Sequence, residues 1–235
     1  MYYPYLRGKQ FELIALRELV DEGLISKKVI PIIEPVTLSA TLISTMKTFI
    51  EKDRQIAIIK NPAVGSFLEE YESIDDFNEK DIERKRIKNF VNIEMNNFVI
   101  PSYICDENTD YHDNKVKDEL KDSILILNNA DVINDIFENI DGKLFCIPDE
   151  RIFRRTITNN RILLSDNFKK RPRNADYEGE EVYSDDHLFY KEEGYEGFSD
   201  YSIIGADYSE SGFAPFAIAI HIVYFDQNNI LRIIH

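Results

Sequence analysis

Tryptophan is absent from the 235 residues, and cysteine occurs twice, at Cys105 and Cys146. Neither cysteine has a CxxC-type partner, so a disulfide scaffold or a cysteine zinc site is not expected, and both read as reduced core thiols. No uninterrupted apolar stretch approaches the roughly 18 residues that cross a bilayer, and Met1–Arg7 lacks the apolar core of a signal peptide. The expected location is therefore cytoplasmic. Positive charge is scarce: 28 Lys and Arg face 43 Asp and Glu, for a formal net charge of −15. That balance disfavours wrapping duplex DNA through the general surface and leaves a local basic patch as the route to nucleic acid. P-loop, GxGxxG and GxSxG motifs and any Ser-His-Asp order are also missing.

What is present suits a folded α/β domain. Apolar residues make up 43% of the chain and aromatics 12%, enough for a core despite the charge. Two apolar runs end in a charge and then a proline: Val29-Ile30-Pro31-Ile32-Ile33-Glu34-Pro35 and Ile56-Ala57-Ile58-Ile59-Lys60-Asn61-Pro62. Each reads as a buried strand with a charge at its C-terminal end, the end of an α/β sheet where ligands and catalytic groups gather.

Strands are expected at 2–6, 29–34, 56–60, 98–103, 123–127, 143–147 and 161–165. Between them lie a helix over 11–24 with Leu13, Leu16, Leu19, Val20 and Leu24 on one side, and a helix capped by Ser39 with a face of Leu42, Ile43, Met46, Phe49 and Ile50. A charged helix over 75–91 and a helix capped by Asn129 follow. Continuous apolar strands suit a mainly parallel sheet buried on both faces. The expectation is an α/β, barrel-like domain over 1–235, slightly short of the typical size of about 250 residues for a complete barrel.

Residues 166–212 read as an inserted, irregular loop region, with 202–206 as a further short strand. Within this region, 176–200 holds ten acids against the single base Lys191, together with Tyr177, Tyr183, Phe189, Tyr190, Tyr195 and Phe198. That density of aromatics suggests an ordered lid or a partner-binding contact loop. The end of the chain reads as a hairpin, 217–225 and 230–234 around a turn at 226–229.

A barrel would place Arg7, Glu34, Lys60, Asp106, Asn128, Asp149 and Asp166 on one rim. Glu34, Lys60 and Asp166 form the catalytic bet. Lys60 would be a nucleophile whose pKa burial lowers, and Glu34 would handle protons. Alternatively, Glu34, Asp149 and Asp166 would hold a divalent cation for phosphoester hydrolysis, although no His or Cys ligand spacing supports a metal site. The bland reading is a buried Glu34–Lys60 ion pair. Arg7, Asp149, Asp200 and His221 are candidate ligand-binding residues. His221 is expected within an apolar strand beside Ala217 and Ala219, while His112 and His187 read as solvated. Arg151, Arg154, Arg155, Arg161, Lys169, Lys170, Arg171 and Arg173 form a basic run that contacts phosphates or, on the favoured reading, docks on the acidic segment.

Three segments carry a family resemblance. They are Tyr3-Pro4-Tyr5-Leu6-Arg7-Gly8-Lys9-Gln10-Phe11-Glu12-Leu13, Pro31-Ile32-Ile33-Glu34-Pro35, and Gly197-Phe198-Ser199-Asp200-Tyr201 through Gly212 to His221. In these the chain resembles the bacteriophage T4 beta-protein-like family, in a bacterial branch of uncharacterised proteins. The resemblance implies a TIM-barrel-like fold, no established activity or cofactor, and a length extending beyond residue 235, where further barrel strands or helices are expected. Its recurrent positions here are Arg7, Glu12, Glu34, Asp200, Tyr201, Gly212, Pro215 and His221.

Some members are encoded beside a nuclease-like protein, which implies an accessory or interaction role in a two-component system of phage-defence type. The other reading is a metal-dependent hydrolase or lyase at the rim. On the interaction reading 176–200 is the contact surface, and deleting it is expected to abolish partner capture while leaving the fold intact.

Overall fold

The computed structural model describes residues 1–73, 82–140, 142–202, 205–206 and 218–235. Parallel strands β1 (Tyr5–Leu6), β2 (Ile32–Ile33), β3 (Ile56–Ile59), β4 (Val99–Cys105), β5 (Ile124–Leu127), β6 (Leu144–Pro148) and β7 (Arg161–Ser165) pair in sequence order. Strand β8 (Glu180–Ser184) leaves the ring, and β9 (Gly197–Asp200) pairs with β7 as its eighth member. The N-terminus closes the ring. Tyr2 bridges both Val29 and Phe198, and the Tyr3 amide donates to Phe198 O at 2.8 Å. The result is a nearly closed, TIM-barrel-like ring of eight parallel strands, all within residues 2–200.

Gly197 makes that closure possible. A Cβ there would stand 2.6 Å from Tyr3 Cε2 and 2.9 Å from Met1 O, so only a residue without a side chain lets the first segment approach.

Helices α1 (Gln10–Asp21), α2 (Ala40–Glu51), α3 (Phe67–Glu72), α4 (Ile82–Glu94), α5 (Asn114–Leu120), α6 (Ile133–Asn139) and α7 (Arg151–Thr156) cover the barrel, and α8 (Asp186–Phe189) follows β8. Ser39 caps α2 by accepting from the Leu42 amide at 3.1 Å. The amphipathic stripe of α1 buries Leu13, Leu16 and Val20 but leaves Leu19 exposed within the helix and Leu24 exposed beyond its end at Asp21. Asn129 caps a short 3₁₀ turn over Ala130–Val132 that leads into α6. The expected charged helix begins at Ile82; positions 75–81 of that expectation lie outside the described residues. Helices α5 and α7 carry too few apolar positions for periodicity to announce them.

Alternation along each strand divides the core into layers. Tyr3, Tyr5, Ile30, Ile32, Ala57, Ile59, Ile100, Ile124, Ile126, Cys146, Ile162 and Leu164 form one cluster inside the barrel. The intervening residues face the helices. Ile33, Ile56, Ile58 and Val99 pack with α1 to α4, and Tyr103, Cys105, Leu125, Leu127, Phe145, Ile147 and Leu163 pack with α5 to α7. Strands buried on both sides therefore read as uninterrupted apolar runs. Both cysteines are buried and unbridged, and burial pushes each thiol up to about 12. Among the described residues, no helix is long and apolar enough to cross a membrane.

A second, antiparallel sheet joins β10 (Ile222–Phe225), β11 (Leu231–Ile234) and β8, so the expected C-terminal hairpin is part of a three-stranded sheet. Its first strand starts at Ile222, after His221, and Ala217 lies outside the described residues. The expected strand at 202–206 is not present at Ser202, Gly205 or Ala206, and Ile203 and Ile204 are outside the described residues.

The region 166–212 is more than an irregular excursion, since it supplies β8 and the eighth barrel strand. Nor is 176–200 an open contact loop. Tyr183, Tyr190 and Tyr195 are buried, and Phe198 lies in β9 with its ring stacked on Tyr2 at 4.8 Å.

Candidate functional site: the barrel mouth

The first strand alternates Tyr3, Tyr5 and Arg7 toward the barrel interior, and β2 continues Ile30, Ile32 and Glu34 on the same face. Glu34 is thereby aimed into the mouth, where it is fully buried, at 0% exposure. Its Oε2 accepts from Tyr5 Oη at 2.6 Å and from Arg7 Nη1, and its Oε1 accepts from the Ala63 amide at 2.9 Å. One carboxylate thus ties together β1, β2 and the loop after β3.

Arg7 also donates through Nη2 to Ala206 O and lies near the rings of Tyr5 and Tyr201, 5.5 and 5.9 Å from their centroids. Gly8 turns the chain away immediately after Arg7 with φ of 63°. A Cβ there would press on Ile33 Cγ2 at 3.0 Å and Glu34 O at 3.2 Å. Above this network lies a cavity of about 350 Å³, whose lining includes Tyr5, Arg7, Glu34, Ile104, Ile126, Asn128 and Tyr201.

Lys60 is not Glu34's partner, and the expected buried pair is corrected. The register pairs Ile33 with Ile58, so Glu34 stands level with Ile59 and Lys60 is one residue further on. Because Ile59 faces the interior, Lys60 faces the helices. There it pairs with Glu94 at the end of α4 and sits 5.4 and 5.3 Å from the ring centroids of Tyr71 and Phe90. Burial pulls its ammonium down to about 8, while Glu119 pulls the other way.

With a folded pKa below the unfolded value of about 10.4, the unfolded chain binds more protons between those limits. This contribution is unfavourable to folding below pH 8 and is relieved as pH rises from about 8 to about 10.4. Titration of a labelled Lys60 side chain by NMR is expected to show a midpoint near 8. A midpoint near 10.4 would refute the burial argument.

The other expected residues disperse. Asp166 follows β7 on the inward parity, is exposed, and accepts from the Ala206 amide at 3.0 Å beside the mouth. Asp149 has the opposite parity and engages Arg154 at 3.2 Å and Tyr195 Oη at 3.3 Å, so Glu34, Asp149 and Asp166 do not form a cation site. Among the described residues, no group of three or more His, Cys, Asp or Glu side chains is placed to hold a metal ion. Asp106 caps its own loop through the Asn108 amide and Thr109.

Asp200 faces away from the interior that Ser199 and Tyr201 share. It accepts both Tyr2 Oη, at 3.1 and 3.2 Å, and the Ser202 amide, which makes it a closure residue rather than a lining one. Burial raises its carboxyl above the ordinary range, against the opposing pull of those hydrogen bonds.

His221 does not line the mouth. Its Nδ1 lies 2.7 Å from Nδ1 of His235, and its ring meets Phe168 and Tyr177 edge-on. Burial and His235 lower its pKa. His112 is exposed, whereas His187 is half-buried against Phe225 and bonded to Asn229 O at 2.6 Å, contrary to the solvated reading. Most of the basic run docks on the same chain. Arg161 donates to the carbonyls of Glu193 and Gly194, Lys169 and Arg171 approach Glu181, and Arg173 pairs with Asp176.

Sequence reasoning singled out Arg7, Glu34 and Asn128 but missed Tyr5. The alternation Tyr3, Tyr5, Arg7 was the available signal. No protein-family model, curated protein or solved structure matches the chain.

Proposed function

We propose that the protein is an accessory, partner-binding component of a bacterial gene system of phage-defence type, working beside a nuclease-like enzyme encoded nearby. One observation carries this reading: among the described residues, the outer strand of the three-stranded sheet and the segment leading into it are apolar and exposed. Ile218 and Ile220, in the segment leading into β10, are 84% and 70% exposed and Ile222, its first residue, is 56% exposed; among the described residues β10 pairs only with β11. No Asp, Glu, Lys or Arg interrupts 218–225, in a chain of net charge −15.

Edge strands of soluble proteins are normally blunted by charge, proline or cover, and an uncharged one is suited to receiving a partner's strand. The barrel mouth adds to the argument. A hydrolase or lyase at the rim would draw on Glu34, Lys60 and Asp166 together, yet Glu34 has donors on both oxygens and Lys60 faces the helices.

Co-expression with the genomic neighbours followed by native mass spectrometry is expected to retain a second polypeptide. Ile220→Asp combined with Ile222→Lys should release it with the melting temperature unchanged, since both sites are exposed. Capture that survives the double substitution would place the contact elsewhere.

A further inference from the structure

A second surface offers itself independently of the sheet edge. We infer that the barrel mouth binds a small, uncharged, planar ring bearing an adjacent N–H and C=O, the chemistry of a nucleobase or nucleoside. The cavity of about 350 Å³ lies at the small end of the range for ligand sites, about 300–1,000 Å³. Val64, Ile104 and the ring of Tyr201, each half-buried in the lining, supply apolar surface for a flat body.

Two polar groups in the lining remain open. The Asn128 amide and the Tyr201 hydroxyl have no hydrogen-bond partner among the described residues, while Glu34 and Tyr5 are already engaged with each other. A carboxamide offers one acceptor beside two donors, which matches a ring edge presenting the complementary pair, and Tyr201 can either donate or accept.

Charge selects against phosphates. Around the mouth Arg7 is offset by Glu34, and Asp166 stands beside them bonded to Ala206, so among the described residues these three give a negative balance within a strongly negative chain. An anionic ligand would be repelled where a neutral one is not. A rigid ring also loses little conformational freedom on entering, which favours it over a flexible amide of the same size.

The test is calorimetric titration of the purified protein with adenosine, guanosine, cytidine and uridine, each paired with its 5′-monophosphate. At least one nucleoside is expected to bind more tightly than its monophosphate. Asn128→Ala or Tyr201→Phe should weaken that binding by up to about tenfold, the loss of one hydrogen bond. If a variant does not fold, the Asn128 side-chain amide resonance of the unaltered protein serves instead, and it should shift on titration. Three outcomes overturn the inference: no heat with any nucleoside at about 1 mM, tighter binding of the monophosphate, or binding indifferent to both substitutions. The sheet edge plays no part in this titration, so its result leaves the partner-binding proposal to its own experiment.

Discussion

Replacing Glu34 with alanine is expected to lower the stability of the fold by about 3–5 kcal/mol, the usual cost of removing one member of a buried ion pair. The change takes from the buried Arg7 guanidinium its Glu34 carboxylate and leaves Tyr5 Oη and the Ala63 amide without their acceptor. For a chain of this size the melting temperature should fall by roughly 6–20 °C. Glu34→Gln should cost less, because an amide oxygen in the Oε2 position can still accept from two of the three donors, Tyr5 Oη and Arg7 Nη1.

A double substitution, Arg7→Met with Glu34→Leu, should recover much of the loss, since a well-packed apolar pair often matches a buried ion pair. Denaturant unfolding of the parent, Arg7→Met, Glu34→Leu and the double variant forms the cycle. A Glu34→Ala protein as stable as the parent would remove the structural role and reopen Glu34 as a chemical group. Asp166→Asn is the control: an exposed carboxylate holding one amide should change stability by no more than about 1 kcal/mol.

Deleting residues 176–200 is expected to abolish cooperative folding altogether. The deletion removes Gly197–Asp200, the strand that joins β7 to the N-terminal segment, and with it the seam between Tyr3 and Phe198. It also takes away Tyr190 and Tyr195, both members of the cluster under α5 to α7. An opened barrel would expose apolar surface and two unpaired parallel edges, a combination that leads to aggregation. The expected result is an insoluble product or a soluble one without a thermal transition by circular dichroism. A deletion protein that melts cooperatively would show that the ring does not need its eighth strand, and would restore 176–200 as a dispensable contact loop. The milder Gly197→Val should destabilise through the same seam, because its Cβ meets Met1 O at 2.9 Å.

Much of the architecture was legible from periodicity. Seven of the eight barrel strands announced themselves as apolar runs because burial on both faces leaves no polar alternation to dilute the signal. The eighth, Gly-Phe-Ser-Asp, has no such run. It is held by its neighbours' backbone and by the small size of Gly197 and Ser199, and its sequence resembles a loop. The aromatics of 176–200 suggested a contact surface for a related reason: composition shows that rings are present but not which way they face. Three of them turn into the core.

The candidate site divides in the same way. Sequence alone determined that Glu34 and Lys60 end buried strands, that Arg7 follows an apolar start, and that Ser39 and Asn129 cap what comes after them. These are local facts, fixed by hydrophobic pattern and by side chains that bond their own backbone. Tertiary structure decided which of these groups meet. The Ile33–Ile58 register leaves Lys60 one residue beyond Glu34 and on the opposite face, so two positions that look equivalent in sequence point to different layers. Arg7 becomes Glu34's partner because strands 27 residues apart run side by side, and Tyr201 reaches the same mouth only when the ring closes. With a side-chain period of two, a one-residue difference in register reverses every contact, and register between distant strands is set by packing across the whole barrel.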